Sequence, residues 1–172
     1  MKKYIYGFIT GVAGVFAIGL IIAFSVMKLG LIPINADAQP PDWEKGLAMR
    51  AVDSSVARHA PHQTNPFGPT EETLIAGADI YKTECARCHG QASGRPSTFG
   101  ASFYPPVPQL PGHASDHTEA ELFWIVKHGV RNTSMPAWGS TLSDNDIWQV
   151  VALIKRFDSL PPTVTAELNK KD

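Results

Sequence analysis

The run Cys85-Ala86-Arg87-Cys88-His89-Gly90 limits what this chain can become more than any other stretch. On a helical turn, two thiols three residues apart fall on one side, and an imidazole directly after the second points back over whatever the thiols hold. CxxCH is the attachment signature of a c-type haem, in which the two sulfurs bond vinyl groups on one porphyrin edge and the histidine meets the iron. Cys85 and Cys88 are the only cysteines in the sequence.

Three rival uses of the motif fit less well. A redox dithiol calls for βαβ flanks, and the flanks here read as helical. A zinc site would draw on His113 and His117, which stand in HxxxH spacing, but the interval from Cys88 to His113 is about twice that of a two-Cys, two-His finger, and His89 is left without a role. A disulfide between residues so close together closes a loop too small to remove much unfolded-state entropy.

From Tyr4 to Met27 there is no charged side chain, and the run is rich in Ile, Val, Phe, Ala and Gly. It is long enough to cross roughly 30 Å of hydrocarbon as a helix. Lys2 and Lys3 precede it, while Lys28 stands alone after it and is followed by Asp37 and Asp42. That asymmetry predicts a single-pass anchor in the cytoplasmic (inner) membrane, with its N-terminus in the cytoplasm and the remainder on the periplasmic or extracytoplasmic side. A cleavable signal is the competing reading, because Ala36-Asp37-Ala38 resembles an A-x-A cleavage site; the apolar run is longer than the roughly 7–15 residues usual for a signal. Gly7 and Gly11 form a GxxxG pair that is common in membrane helices.

Formal net charge is −1, and beyond residue 27 there are 13 Lys and Arg against 16 Asp and Glu. With no basic stripe, nucleic acid is not an expected partner.

The chain reads as four parts: an anchor over 1–28, a connector over 29–69, a compact domain over 70–162 and a polar tail over 163–172. Prolines at 33, 40, 41, 61, 66 and 69 interrupt the connector. Within it Asp42 is a plausible N-cap for a short helix to Arg58, with Leu47, Val52 and Val56 at roughly helical spacing. His59 and His62 read as polar loop residues rather than metal ligands. Three helices are predicted in the domain, and nothing from 70 to 172 alternates like a strand. The first is capped by Thr70 and carries Glu71, Glu72, Leu74, Ala78 and Tyr81 towards Cys85. Residues 90–112, with five prolines, carry no expected element. A capping box of Thr118 and Glu121 opens the second helix, and Gly129 stops it. The third starts at Ser143, places Ile147, Val150, Val151, Ile154 and Phe157 on one face, and ends at Pro161 and Pro162. The expected class is therefore all-α.

Three short helices over about one hundred residues make a thin core. A porphyrin against which all three pack would serve as core as well as cofactor. Its iron needs a second ligand besides His89. Met135 stands out because core periodicity does not explain a methionine in the loop between the second and third helices, and Pro136 holds it in extended backbone geometry. Met49, His113, His117 and His128 remain alternatives, although His128 in the last turn of its helix is favoured there in any case.

Residues 70–160 resemble a class I monohaem c-type cytochrome: Gly77 and Tyr81 in the first helix, then CARCHG, a Pro-rich loop, KHGVRNTSMPAW, and a helix with Asp146-Ile147-Trp148. The resemblance implies the class I cytochrome c fold, with three core helices around one covalently bound haem c. It implies thioether bonds at Cys85 and Cys88, with His89 as proximal and Met135 as distal iron ligand. It further implies that the first and third helices cross near Gly77, and that a proline carbonyl, Pro108 or Pro106, accepts the imidazole N–H. With the anchor and connector, the likeness is to membrane-tethered bacterial cytochromes. The expected role is one-electron transfer between respiratory-chain or dehydrogenase partners, with no substrate bound at the metal and no catalytic residues. A permanent haem subunit of a larger membrane complex, a haem enzyme or a gas sensor are the alternatives.

Overall fold

The computed structural model describes residues 2–91, 94–111 and 116–170, and among these there is no β-strand. Two compact units divide the chain, Met1–Asn35 and Ala36–Asp172. The first unit is built on one helix, α1 (Lys2–Lys28), whose 27 residues bury nothing within the protein. At 1.5 Å per residue it rises roughly 40 Å, more than the roughly 30 Å hydrocarbon layer of a bilayer. Its most apolar window has a mean hydropathy of 2.4, so length and composition both suit a membrane crossing.

The second unit contains α2 (Asp42–His59), α3 (Glu71–Ile80), α4 (Ala86–His89), α5 (Thr98–Ala101), α6 (Glu119–His128), α7 (Asp144–Ile154) and α8 (Pro162–Leu168). Local chemistry starts the main helices where the sequence places their caps. Thr70 Oγ1 accepts from Thr73 N at 3.3 Å at the head of α3. Reciprocal capping boxes open α6 through Thr118 and Glu121, and α7 through Ser143 and Asp146. Each box satisfies two main-chain N–H groups that the first helical turn otherwise leaves unpaired. Thr118→Ala is expected to cost about 1 kcal/mol, which thermal denaturation would register as a melting temperature lower by roughly 4–8 °C. At the other end of α6, Gly129 takes φ 68°, a conformation that stops the helix.

The core lies where α3 crosses α7. Gly77 permits the contact: a Cβ there would lie 2.4 Å from Gln149 O and 3.2 Å from Leu153 Cβ. Ile147, Val150, Val151 and Leu153 of α7 are fully buried. Phe123 of α6 stacks on Trp148 with ring centroids 4.1 Å apart, and Tyr81 meets Phe157 edge-on at 4.9 Å.

Four features depart from the sequence expectations. The stretch 163–172, expected as a polar tail, instead begins with helix α8, which packs on α3 and buries Val164 and Leu168. Prolines such as Pro161 and Pro162 can end a helix, yet proline at the first helical position also starts one, since its missing N–H is one that the first turn cannot pair anyway. The third helix ends earlier than expected, at Ile154. Ser97 caps a one-turn helix, α5, inside the proline-rich stretch by accepting from Gly100 N at 2.8 Å. Lastly, Pro41 holds the cap position of α2 and Asp42 is already its first helical residue. Helix α2 packs on α6: Val56 is 1% exposed, and His59 stacks on Trp124 with centroids 5.8 Å apart. Downstream, Asn65 Nδ2 donates to Trp148 O at 3.0 Å.

Candidate haem site

Helix α3 does not stop at Ile80. It widens into a π-helical turn over Tyr81–Cys85, in which Ala86 N–H reaches back five residues to Tyr81 O, and then tightens into α4. Cys85, Cys88 and His89 thus lie on one continuous helical path. Such π turns recur at functional sites because the extra residue re-aims the side chains that follow. Both thiols are free of any disulfide. Cys85 is buried, and burial, followed by the nearby Glu84 charge, pushes its thiol up to about 12.

His89 Nδ1 lies 2.9 Å from Pro108 O. A carbonyl can only accept, so Nδ1 carries the proton and Nε2 keeps its lone pair for a metal. Burial holds the imidazole below its usual range, opposed by the Pro108 bond, and the neutral ring is the one that can coordinate. The acceptor is Pro108 rather than Pro106.

Tyr81 and several residues that the sequence does not single out clasp this segment. Gln109 Nε2 donates to Cys88 O at 3.2 Å and to Val107 O at 2.9 Å, and Gln109 Oε1 accepts from Ser97 N at 2.7 Å. One amide therefore joins the attachment helix, the α5 cap and the segment around Pro108. Tyr81 donates its hydroxyl to Gly90 O at 2.8 Å. A Cβ at Gly100 would sit 2.1 Å from Cys88 O, so only glycine lets α5 approach so closely. Arg87 lies over the Phe99 ring at 4.5 Å. A polar Gln between Pro108 and Leu110 was the only sequence signal for this hub.

Met135 packs against the same buried cluster that contains Cys85, as do Ala86 and Leu110. The alternative ligands among the described residues are engaged elsewhere or lie on the surface. His59 Nδ1 donates to Ser55 O at 2.8 Å, and His128 leans on Trp124 at 5.1 Å. His117 stands 3.8 Å from Asp53 and 3.7 Å from Glu121. Met49 is 49% exposed, His62 is exposed, and His113 lies outside the described residues. No group of three or more His, Cys, Asp or Glu able to hold a metal ion occurs among the described residues.

This donor set fits a covalent haem. It offers two thiols not paired with each other, an imidazole with Nδ1 already committed, and a thioether against the same apolar cluster.

Comparison with known proteins agrees over the same stretch. Residues 72–154 match the family model described as cytochrome C oxidase, cbb3-type, subunit III. A chain of the Kuenenia stuttgartiensis reducing HAO-like protein complex is similar at 25% identity, covering 52% of this chain and 45% of its own length, with a TM-score of 0.38. This chain therefore matches less than half of that chain's length. With CxxCH at the end of a helix, the all-α fold and the family match coinciding, residues 72–154 form a c-type cytochrome domain, a module that implies covalently bound haem c and electron transfer.

Proposed function

We propose that the chain is a membrane-tethered one-electron carrier with a single haem c, held by thioethers at Cys85 and Cys88 and ligated by His89 Nε2 and the Met135 sulfur. The observation that carries this reading is the hydrogen bond from His89 Nδ1 to Pro108 O, which commits one ring nitrogen and leaves the other for iron. Two cysteines in the whole sequence supply thioethers for one haem. When bound, the haem supplies a ferrous/ferric couple, and a thioether ligand favours the reduced form relative to a second imidazole. The protein's own part is to fix the imidazole, to keep a soft ligand on the other side and to exclude water with the α3–α7 core.

Helix α1 is the tether, with the N-terminus in the cytoplasm, as the Lys2 and Lys3 asymmetry favours, and the haem domain on the opposite side. Tethering raises the effective concentration of redox partners within reach on the same membrane surface. Because the matching family model describes a subunit of an oxidase, a second reading makes the chain a permanent haem subunit of a membrane complex. Co-purification from mild detergent at fixed stoichiometry supports that reading, whereas a protein that leaves the membrane alone supports the free carrier.

The decisive measurement is optical. The matured protein is expected to show a sharp reduced c-type α-band and a weak ferric band at the red edge from methionine–iron bonding. In Met135→Ala the red band disappears and the potential falls by on the order of 0.1 V, a fraction of the roughly 0.8 V that axial ligands command. A red band that persists in this variant assigns the second ligand elsewhere.

A further inference from the structure

The loop that carries Met135 is closed by its own hydrogen bonds. Gly129 brings the chain back on itself at the base, where a Cβ would lie 2.6 Å from Pro136 C and 2.7 Å from Met135 O. Val130 N donates to Met135 O at 3.1 Å. Inside the loop, Thr133 Oγ1 donates to Val130 O at 2.7 Å and accepts from Met135 N at 3.1 Å. Both main-chain polar groups of Met135 are thereby joined to Val130, one directly and one through the Thr133 hydroxyl. Asn132, at φ 60°, supplies the reversal the ring needs.

A hydroxyl bonded at both ends is the simplest way to fix the backbone on either side of one residue. Fixing N–H and C=O of Met135 fixes the direction of its Cα–Cβ bond, and so where the thioether can reach. We propose that Thr133 is a positioning residue for Met135, its hydroxyl holding the methionine backbone in the conformation that keeps sulfur on the iron; this rests on the reading of Met135 as axial ligand. Thr133 is exposed, so on loss of the hydroxyl the freed Val130 carbonyl and Met135 amide turn to water. The fold then loses little, and the ligand loses its orientation.

The test uses full-length, haem-loaded protein with three variants: Thr133→Val, Thr133→Ser and Met135→Ala. Thr133→Val removes the hydroxyl at nearly constant volume. It is expected to keep its covalent haem and its melting temperature within a few degrees, to lose most of the ferric red band, and to bind carbon monoxide in the ferrous state roughly tenfold faster, about the factor one lost net hydrogen bond supplies. Thr133→Ser, which keeps the hydroxyl, restores both readouts. Unchanged band and rate in Thr133→Val overturn the proposal, as does failure of serine to rescue or a fall in melting temperature that accounts for the spectral change. Met135→Ala separates the two claims: if the red band survives there, it is the ligand reading that fails.

Discussion

Gly77→Ala is expected to destabilise the haem-loaded protein by about 3 kcal/mol or more, seen as a melting temperature lower by on the order of 15 °C. The added methyl would lie 2.4 Å from Gln149 O and 2.9 Å from Gln149 C. Those are main-chain atoms inside α7, so no side chain can swing aside; α3 and α7 have to move apart, opening the contact lined by Leu153. Ordinarily glycine to alanine within a helix stabilises by up to about 1 kcal/mol. Gly46 of α2 provides that control, because a Cβ there meets nothing within 4 Å. Gly46→Ala should be neutral or slightly stabilising. Equal and small effects at both positions would mean that the helices do not cross as described.

The second large effect is expected when haem is withheld. Full-length Cys85→Ser/Cys88→Ser protein in detergent should keep the helicity of α1 but lose the cooperative thermal transition of residues 36–172 and the near-ultraviolet signal of Trp148. The physical reason is the thinness of the protein-only core. Against the buried cluster, Leu110, Met135, Trp138 and Leu142 are only partly buried. A porphyrin is a large apolar plate, and at roughly 25 cal/mol per Å² of apolar area removed from water its contribution is comparable to the whole margin of stability of a small domain. A cooperative melt at an unchanged temperature would show that the helices suffice alone.

What could be read from the sequence divides along physical lines. Three local signals hold: Thr70, Thr118 and Ser143 cap the helices they precede, because a cap acts within four residues, whereas Asp42 yields the cap position of α2 to Pro41. The family likeness supplied two long-range expectations that the structure bears out, the close approach at Gly77 and the His89–Pro108 bond. Periodicity failed for α8, where Val164 and Leu168 are the only buried residues in a short polar stretch and gain their meaning from α3, far away in the chain. The π turn over Tyr81–Cys85 leaves no composition mark, since residues 81 and 85 share one face of an ordinary α-helix as well and their burial does not announce the wider turn. Gln109 was invisible as a hub because its partners at Ser97 and Cys88 are brought to it only by folding.

The α3–α7 crossing is also the neck of a loop. Residue 77 touches residue 149, and Cys85, Cys88, His89 and Met135 all lie on the chain between them. Bringing such distant segments together is an entropic toll that grows only with the logarithm of length, so that halving the loop would recover just about 0.6 kcal/mol. Insertions in the exposed connections of this arc are consequently cheap, provided that its buried helix α6 and the points pinned along it, such as Pro108 and the ring closed by Val130 and Met135, keep their places. Folding speed answers to the opposite rule: a domain whose principal contact spans so much of its sequence has to search for that contact, so its folding is slower than its short helices alone would suggest.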